Sequence, residues 1–387
     1  GLENRLILAT IYALTFIVTP VYLLGQTIPL VSNYFSKQKL AKITGKILFF
    51  STLGSFMGAT FSTLVLMAHI GVHYTATLNF IILAVLIILL SRRKLDERPI
   101  IAIALAAAAI YLNSGAMMKN MNIVANNQYN TIVVTEKKTK DDTQRFLILN
   151  NNSSSMYSEK GRNHPYIEFI EKTAIDPLIA AQEPKDILII GAGAFTLGFR
   201  DNLNRYDYVD IDKDLKHISE TYVLKEKLLD NKTFHPIPAR AFLAGTDKKY
   251  DLIILDAYLG DLTLPEHLIT AEFFEAVKAH LNNGGAVMAN FIVSPNFNNR
   301  YSRTIDNTFR FVFKNISRHA MESQYAIWNT DENALHNVVY IYKDQNDADI
   351  DTLYTDNKNR VFYDKPKQHG SVLKRPNAQE NTLHSHE

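Results

Sequence analysis

A glycine-rich turn and an acid in the middle of the sequence have the types and spacing needed to bind a nucleoside. The apolar run Asp186-Ile-Leu-Ile-Ile190 is typical of a buried parallel strand, and it breaks into Gly191-Ala-Gly193. Glycine lets the backbone approach a ligand closely, and a helix after the turn would offer it free N–H groups. Asp210 ends the next apolar strand, where an acid can accept hydrogen bonds from ribose hydroxyls. We therefore predict a nucleoside site at Gly191, Gly193 and Asp210.

A second carboxylate is expected beside that site. The apolar run Tyr250–Leu255 predicts another buried strand, and Asp256 follows it directly. Ligands of open parallel sheets bind at the carboxyl ends of the strands, so Gly191, Asp210 and Asp256 should converge. The alternative for both acids is a purely structural role, as a cap or a solvated strand end.

Composition excludes several kinds of function. The chain has 387 residues and a formal net charge of +2, so no nucleic-acid partner is expected. It has no cysteine, which excludes disulfides, thiolate metal sites and thiol catalysis. His69 and His73 are spaced like metal ligands, but they stand at the end of an apolar segment and no metal site is expected there. The sequence begins with Gly1 rather than Met, as expected of a fragment or a processed form.

Residues 1–118 predict a transmembrane helical region with about four apolar segments. These are Leu6–Val31, Ile47–Ile70, Thr75–Leu90 and Ile100–Leu112. A helical span needs about 20 apolar residues, which the third and fourth segments reach only with flanking residues. Several such segments in series are not a signal peptide. We therefore expect a multi-pass protein of the cell (inner) membrane, with the lipid bilayer as a partner.

Two basic loops bear on the orientation of this region. Ser36–Lys42 and Arg92–Arg98 are two crossings apart, and the positive-inside rule places both in the cytoplasm. If Ile100–Leu112 spans the membrane, the remainder of the chain lies outside the cytoplasm. If this segment is re-entrant or interfacial, the remainder lies inside, and the sequence leaves both alternatives open.

The rest of the chain predicts a small β element, an α/β domain and a tail. Residues 119–180 contain a predicted hairpin, Tyr129–Thr135 with Arg145–Asn150, then a polar loop to Ser155 and a helix from His164 to about Ala181. Residues 181–345 alternate strands and helices, which predicts a doubly wound, Rossmann-like domain. Helices are expected at Leu197–Leu203, Leu215–Leu229 and Pro265–Leu281, further strands at Tyr206–Ile211 and Ala286–Val293, and a final strand pair at Ala326–Asn329 and Asn337–Tyr342. Residues 346–387 have little apolar content and are expected to form a disordered tail.

Several stretches in this order resemble the polyamine aminopropyltransferases, the spermidine synthase family, and more closely their membrane-fused branch. The stretches are Gln128–Val134, Tyr166-Ile-Glu168, Asp186–Gly193, Val209–Asp212, Tyr250–Tyr258 continuing through Leu264–Phe274, and Asn283-Gly-Gly285. In the apolar region, Gly25-Gln-Thr-Ile-Pro29 and Ser51-Thr-Leu-Gly54 are similar to helices of that branch.

The resemblance implies a reaction and a role for particular residues. A diamine nitrogen would attack the aminopropyl methylene of decarboxylated S-adenosylmethionine, and methylthioadenosine would leave. No cofactor would be bound permanently, since the nucleoside is a co-substrate. The implied residues are Asp256 and Tyr166 for catalysis, Gly191, Gly193, Asp210 and Ala239 for the nucleoside, and Tyr129 and Asp261 for the amine.

The chain also departs from the family pattern. Positions where the family has acids hold Ala194, Pro238 and Leu259, and Asn130 stands in place of a glutamine. Two other functions therefore remain as alternatives. One is a class I methyltransferase-like enzyme that uses S-adenosylmethionine on another small substrate. The other is a catalytically inactive membrane protein that keeps the fold for binding or sensing. A homo-oligomer is left open by the sequence.

Overall fold

The structure is a computed structural model of the chain. It describes residues 2–32, 40–91, 97–259, 263–314, 316–321, 334–342 and 353–365. The chain forms two compact units, Gly1–Asn113 and Ser114–Glu387. The sequence predicts the end of the apolar region at residue 118, close to this division.

The first unit is helical. Its helices are α1 (Leu2–Ala13), α2 (Thr19–Ser32), α3 (Leu40–Phe61), α4 (Met67–Leu90) and α5 (Glu97–Leu112). Short π-helical segments at Leu14–Val18 and Ser62–Leu66 join α1 to α2 and α3 to α4. By length and composition, two stretches could cross a membrane, Leu6–Val31 and Lys42–Leu90. Helix α5 has 16 residues and falls short of the same criterion.

Gly71 divides the longer stretch. Its backbone angles, φ 81° and ψ 170°, are not helical, so the second and third predicted apolar segments meet at this residue. Helices α4 and α5 pack through small residues, since Ala84 and Ala102 are buried together and the Thr77 hydroxyl donates to the Ala109 carbonyl at 3.5 Å. Most of the two basic loops lies outside the described residues.

The second unit begins with helix α6 (Gly115–Asn120) and a four-stranded antiparallel sheet. The strands are β1 (Ile123–Asn126), β2 (Thr131–Lys138), β3 (Thr143–Leu149) and β4 (Asn152–Ser158), paired in chain order. The predicted hairpin is confirmed as β2 and β3. The predicted polar loop is wrong from Asn152 onward, because these residues pair with β3 and form the edge strand β4.

A seven-stranded sheet forms the centre of this unit. Its strands are β5 (Asp186–Ile190), β6 (Arg205–Val209), β7 (Lys232–His235), β8 (Tyr250–Leu255), β9 (Leu281–Val293), β10 (Ile316–Ala320) and β11 (His336–Tyr342). The spatial order is β10-β11-β9-β8-β5-β6-β7. Strands β5 to β9 pair in parallel, and β11 runs antiparallel to both of its neighbours.

Helices cover both faces of this sheet. They are α7 (Pro165–Ile170), α8 (Asp176–Ala180), α9 (Leu215–Ile218), α10 (Ala239–Ala244), α11 (Ala271–Ala279), α12 (Arg300–Val312) and α13 (Val361–Asp364). Along β5, Leu188 and Ile190 point into one core with α11 and α12, while Ile187 and Ile189 point into the other with α7 and the four-stranded sheet. Burial on both faces explains why these strands are continuous apolar runs. The predicted doubly wound, Rossmann-like domain is confirmed.

Several predicted helices are shorter than expected or absent. Leu197–Leu203 forms turns, because Gly198 has φ +66° and packs directly against the Tyr206 ring. The helix predicted over Leu215–Leu229 is reduced to α9 and one π-helical segment, Ser219–Val223. The helix predicted from Pro265 begins only at Ala271, after a single short turn. In the final strand pair, the described partner of β11 is β10, and Ala326–Asn329 lie outside the described residues.

Part of the predicted disordered tail is packed. Tyr354 and Val361 are almost fully buried within the same core as α11 and α12. Asp356 accepts hydrogen bonds from the Arg240 guanidinium at 2.7 and 3.0 Å. The prediction is therefore wrong for residues 353–365, where two large apolar side chains are enough to fix a short segment.

The contact between Gly198 and Tyr206 predicts a large effect of a small substitution. A Cβ at position 198 would lie 2.6 Å from the Tyr206 hydroxyl oxygen, and that hydroxyl is held by Asp201 at 2.7 Å. Gly198→Ala should lower the free energy of unfolding by roughly 2–4 kcal/mol, through overpacking and an unfavourable φ. Urea-induced unfolding, followed by near-ultraviolet circular dichroism, measures this change.

Gly284 provides the matched control. It also has positive φ, +77°, but a Cβ there would meet nothing within 4 Å. Gly284→Ala should cost only about 1 kcal/mol, the backbone contribution alone. Equal losses for both substitutions would show that the Tyr206 contact is unimportant.

Candidate active site

Three strand ends are held together at the carboxyl edge of the large sheet. The N–H of Gly191 donates to Val209 at 2.9 Å, and the N–H of Asp256 donates to Ile190 at 2.8 Å. Gly191 has φ +98°, and a Cβ there would lie 2.6 Å from the carbonyl carbon of Asp256. Only glycine fits between these backbones. The convergence of the glycine turn with Asp210 and Asp256 follows from this arrangement.

Strand β4 closes the glycine turn from the other side. The Ser155 hydroxyl accepts the N–H of Ala194 at 3.0 Å, and a Cβ at Gly193 would collide with it. The Ala194 side chain is completely buried. Position 194, where the family that the sequence resembles has an acid, therefore does not present a side chain to the cleft.

Asp210 stands beside this turn. Its carboxylate accepts the N–H of Ala192 at 3.0 Å and the N–H of Asp212 at 3.1 Å. Burial raises the pKa of Asp210 to about 6, although these backbone hydrogen bonds act in the opposite direction. Such a carboxylate, fixed at the edge of a glycine turn, is placed to accept ribose hydroxyls.

Asp212 has a structural role. It is fully buried and accepts the side-chain amides of Asn127 and Asn130, each at 2.7 Å. Asn127 also donates to Asp214 at 2.8 Å. These bonds tie the β1–β2 turn to the end of β6, and they occupy the amide of Asn130.

Asp256 is held by two hydrogen-bond donors. The Tyr166 hydroxyl donates to its Oδ2 at 3.1 Å, and the Asn290 amide donates to its Oδ1 at 3.0 Å. Burial raises the pKa of Asp256 to about 7, against the effect of both hydrogen bonds. Burial and the charge of Asp256 raise the pKa of Tyr166 well above its usual value, so this hydroxyl keeps its proton at neutral pH.

Asn290 is a buried amide on β9 with one unused acceptor. Its side-chain nitrogen donates to Asp256 and, at 3.0 Å, to the side-chain oxygen of Asn337. Because both partners are acceptors, the orientation of the amide is defined. Its Oδ1 is buried and, within the part of the chain that the structure describes, has no hydrogen-bond partner. Tyr258 fixes the backbone here by donating to the Asn290 carbonyl at 2.7 Å.

A cleft of about 500 Å³ joins these groups. This volume is in the range of small-molecule sites. Among its described lining residues the only carboxylates are Asp210 and Asp256, and there is no lysine or arginine. Burial lowers the pKa of both His164 and His267, which keeps these two lining imidazoles neutral at neutral pH. The cleft therefore suits a positively charged molecule.

The structure brings most of the predicted site residues to this cleft. Its lining includes Tyr129, Tyr166, Gly191, Gly193, Asp210, Ala239 and Asp256. Asp261 lies outside the described residues. The roles assigned to these residues from the family resemblance remain predictions.

Sequence reasoning missed Asn290, His164 and the serines of β4. Asn290 stands inside the apolar run Ala286–Val293, and a polar side chain in such a run is a recognisable signal because it needs a buried partner. Ser153–Ser155 looked like a loop, and nothing in their composition indicated a strand over the glycine turn.

Comparisons with known proteins bear on the central part of the chain. Residues 167–325 match the family model described as "Spermine/spermidine synthase domain". The chain is 30% identical over 160 residues to the polyamine aminopropyltransferase of Vibrio vulnificus, covering 40% of this chain and 52% of that protein. It is 29% identical over 149 residues to the "Probable polyamine aminopropyl transferase" of Bifidobacterium longum, covering 37% and 32%. The chain thus spans between a third and about half of the length of these relatives.

Among solved structures, the chain is similar to that of "a probable spermidine synthase" from Corynebacterium glutamicum. The identity is 20%, the TM-score is 0.47, and the match covers 56% of this chain and 77% of that one.

The burial of Asp256 predicts a pH-dependent effect on stability. A folded-state pKa of about 7, above the usual 3.8, means that ionisation of Asp256 opposes folding as pH rises from about 4 to 7. Asp256→Asn should therefore stabilise the protein by about 4 kcal/mol at pH 8 and by almost nothing at pH 4. Thermal unfolding of both proteins at the two pH values tests this. Equal stability at pH 8 would contradict a raised pKa.

Proposed function

We propose, from the premise that residues 167–325 form a spermine/spermidine synthase domain, that this protein is an aminopropyltransferase. It would transfer the aminopropyl group of decarboxylated S-adenosylmethionine to an amine. The observation that carries the proposal is Asp256, held between Tyr166 and Asn290 in a cleft that has no lysine or arginine in its described lining.

The charge of the cleft favours this donor over S-adenosylmethionine itself. The decarboxylated nucleoside carries a sulfonium and an ammonium, and both are positive. S-adenosylmethionine also carries a carboxylate, which would need a positive partner in a site shielded from water. The described lining has two carboxylates and no lysine or arginine, so it fits decarboxylated S-adenosylmethionine better.

The proposed reaction requires an amine nitrogen with a free lone pair. Asp256 accepts a proton from the bound ammonium, and its pKa of about 7 is close to neutral pH, as expected for a general base. The lone pair then forms a bond to the aminopropyl methylene, and the carbon–sulfur bond breaks with its electrons remaining on sulfur. Neutral methylthioadenosine leaves, and Asp256 later releases its proton to water.

Tyr166 and Asn290 would position the base. Because the Tyr166 hydroxyl stays protonated, it orients Asp256 rather than removing a proton itself. The buried Oδ1 of Asn290 is an acceptor for an N–H of the amine. The two substrates are thus oriented for direct displacement, which needs little more than correct placement.

The nucleoside would lie on the glycine turn. Gly191 and Gly193 leave room for it, Asp210 accepts its ribose hydroxyls, and Ala239 contacts it at the start of α10. No acid meets the donor's ammonium at position 194. The hydroxyls of Ser154 and Ser155, which also line the cleft, lie beside this turn, and that of Ser155 already accepts the N–H of Ala194.

Transfer activity and its pH dependence test this function. Methylthioadenosine release from decarboxylated S-adenosylmethionine should fall about tenfold in kcat/KM per pH unit below pH 7, as Asp256 becomes protonated. Asp256→Asn should lower kcat roughly 10²–10⁴-fold. Asn290→Leu removes a donor that stabilises the carboxylate, so the acidic limb should move to higher pH.

Two controls accompany these assays. Asp230→Asn changes an exposed acid and should leave the profile unchanged. Asp210→Asn should weaken calorimetric binding of methylthioadenosine at least tenfold, since it weakens hydrogen bonds to a charged acceptor. Absence of binding by any nucleoside would refute the proposed function, and tighter binding of S-adenosylmethionine than of its decarboxylated form would favour methyl transfer.

We also propose that the first unit anchors the chain in the cell membrane by several passes, with the second unit in the cytoplasm. Leu6–Val31 and Lys42–Leu90 are both long and strongly apolar, and little of either is buried. Helix α5 is about 24 Å long at 1.5 Å per residue, which is short for a hydrocarbon core of about 30 Å. The homo-oligomer stays a prediction.

Fusions to the carboxyl terminus of the chain test this arrangement. A green fluorescent protein fusion should fluoresce in the membrane fraction and resist extraction with alkaline carbonate, while an alkaline phosphatase fusion should be inactive. The reverse pair of results would place the second unit outside the cytoplasm, away from its co-substrate. Release by carbonate would exclude a membrane-spanning anchor.

A further inference from the structure

The described part of the cleft leaves one carboxylate for the acceptor amine. Asp210 stands at the glycine turn and is bonded to Ala192, so it belongs to the nucleoside end. Asp256 is the remaining acid in the described lining. A diamine carries two ammonium groups, and each needs a counter-charge in a cleft shielded from water.

Part of the cleft lining is apolar. Leu259 lines the cleft three residues after Asp256 and is 56% exposed. Ile292 follows Asn290 by two residues on β9, so both side chains lie on the same face. Leu335 lies next to His336, the first residue of β11, which pairs with Val293 at this edge. Leu259, Ile292 and Leu335 thus contribute apolar side chains to the lining of the cleft that contains Asp256.

We propose, on the basis of the function proposed above, that the acceptor is a primary amine with one ammonium group and an apolar body, rather than a diamine. Its nitrogen gives a proton to Asp256 and forms the new bond to the aminopropyl methylene, while sulfur leaves with the electron pair of the broken bond. Its hydrocarbon body lies against Leu259, Ile292 and Leu335. Each buried methylene then tightens binding roughly fourfold, whereas a second ammonium in the same place has no carboxylate in the described lining.

Amine preference of the purified full-length chain tests this inference. With decarboxylated S-adenosylmethionine as donor, methylthioadenosine release is measured for 1-aminobutane to 1-aminoheptane and for 1,4-diaminobutane and 1,5-diaminopentane. We expect kcat/KM to increase with alkyl length and to exceed that of the diamine of equal length at least tenfold. A preference for either diamine would overturn the proposal.

Leu259→Asp supplies the missing second acid at an exposed position. It should raise kcat/KM for the diamines at least tenfold and lower it for the longer monoamines, which inverts the preference. Leu229→Asp is the matched control, since Leu229 is 40% exposed and does not line the cleft. It should change neither value. An unchanged preference in Leu259→Asp would show that this wall does not meet the acceptor.

Asp261 requires its own variant, because it follows Leu259 closely and lies outside the described residues. If Asp261→Asn removes activity with diamines that the parent chain uses well, Asp261 supplies the second counter-charge and the inference is wrong. Turnover of any amine supports aminopropyl transfer, whichever amine is preferred. If no amine reacts, binding of the same amines is measured by calorimetry with methylthioadenosine present. Diamines that bind as tightly as monoamines would then refute the inference.

Discussion

The site depends on one close approach, that of Gly191 to the backbone of Asp256. The glycine turn after β5 lies so near the end of β8 that a single methyl group would collide with the Asp256 carbonyl. Hydrogen bonds from Gly191 to Val209 and from Asp256 to Ile190 extend the same arrangement to the end of β6. In the proposed reaction, a nucleoside on the turn and an amine at the carboxylate would therefore be positioned by neighbouring strand ends. This geometry comes from the sheet itself, which is buried on both faces.

Burial decides what these carboxylates can do. Asp256 has its pKa raised toward neutrality because its surroundings disfavour the charged form more than Tyr166 and Asn290 favour it. In the proposed reaction, burial would also lower the pKa of an ammonium bound there, which would reduce the pKa difference between the ammonium and Asp256. Asp212 is equally buried but is bonded to Asn127 and Asn130, so it acts as a structural link. Asp212 and Asp256 are both buried and thus differ through their partners.

The apolar strands of the large sheet were predictable from sequence, because parallel strands buried on both faces leave continuous runs such as Ile187–Ile190. The site residues at the ends of those strands, Asp210 and Asp256, follow from the same pattern. The helix expected after the glycine turn was wrong, since the position of Tyr206 against Gly198 cannot be deduced from a local pattern. Strand β4 was missed because its serines have a loop-like composition and pair only through β3.

The raised pKa of Asp256 also ties ligand binding to the movement of protons between the protein and the solvent. At pH 7 this carboxyl is about half protonated in the free protein, given its pKa of about 7. A cation that binds beside it favours the ionised form, so each binding event expels about half a proton into the buffer. The heat measured for binding then includes the ionisation enthalpy of the buffer, and apparent affinity rises with pH although no contact changes. A buried acid at the end of one strand therefore couples the binding of a cation in the cleft to the release of a proton.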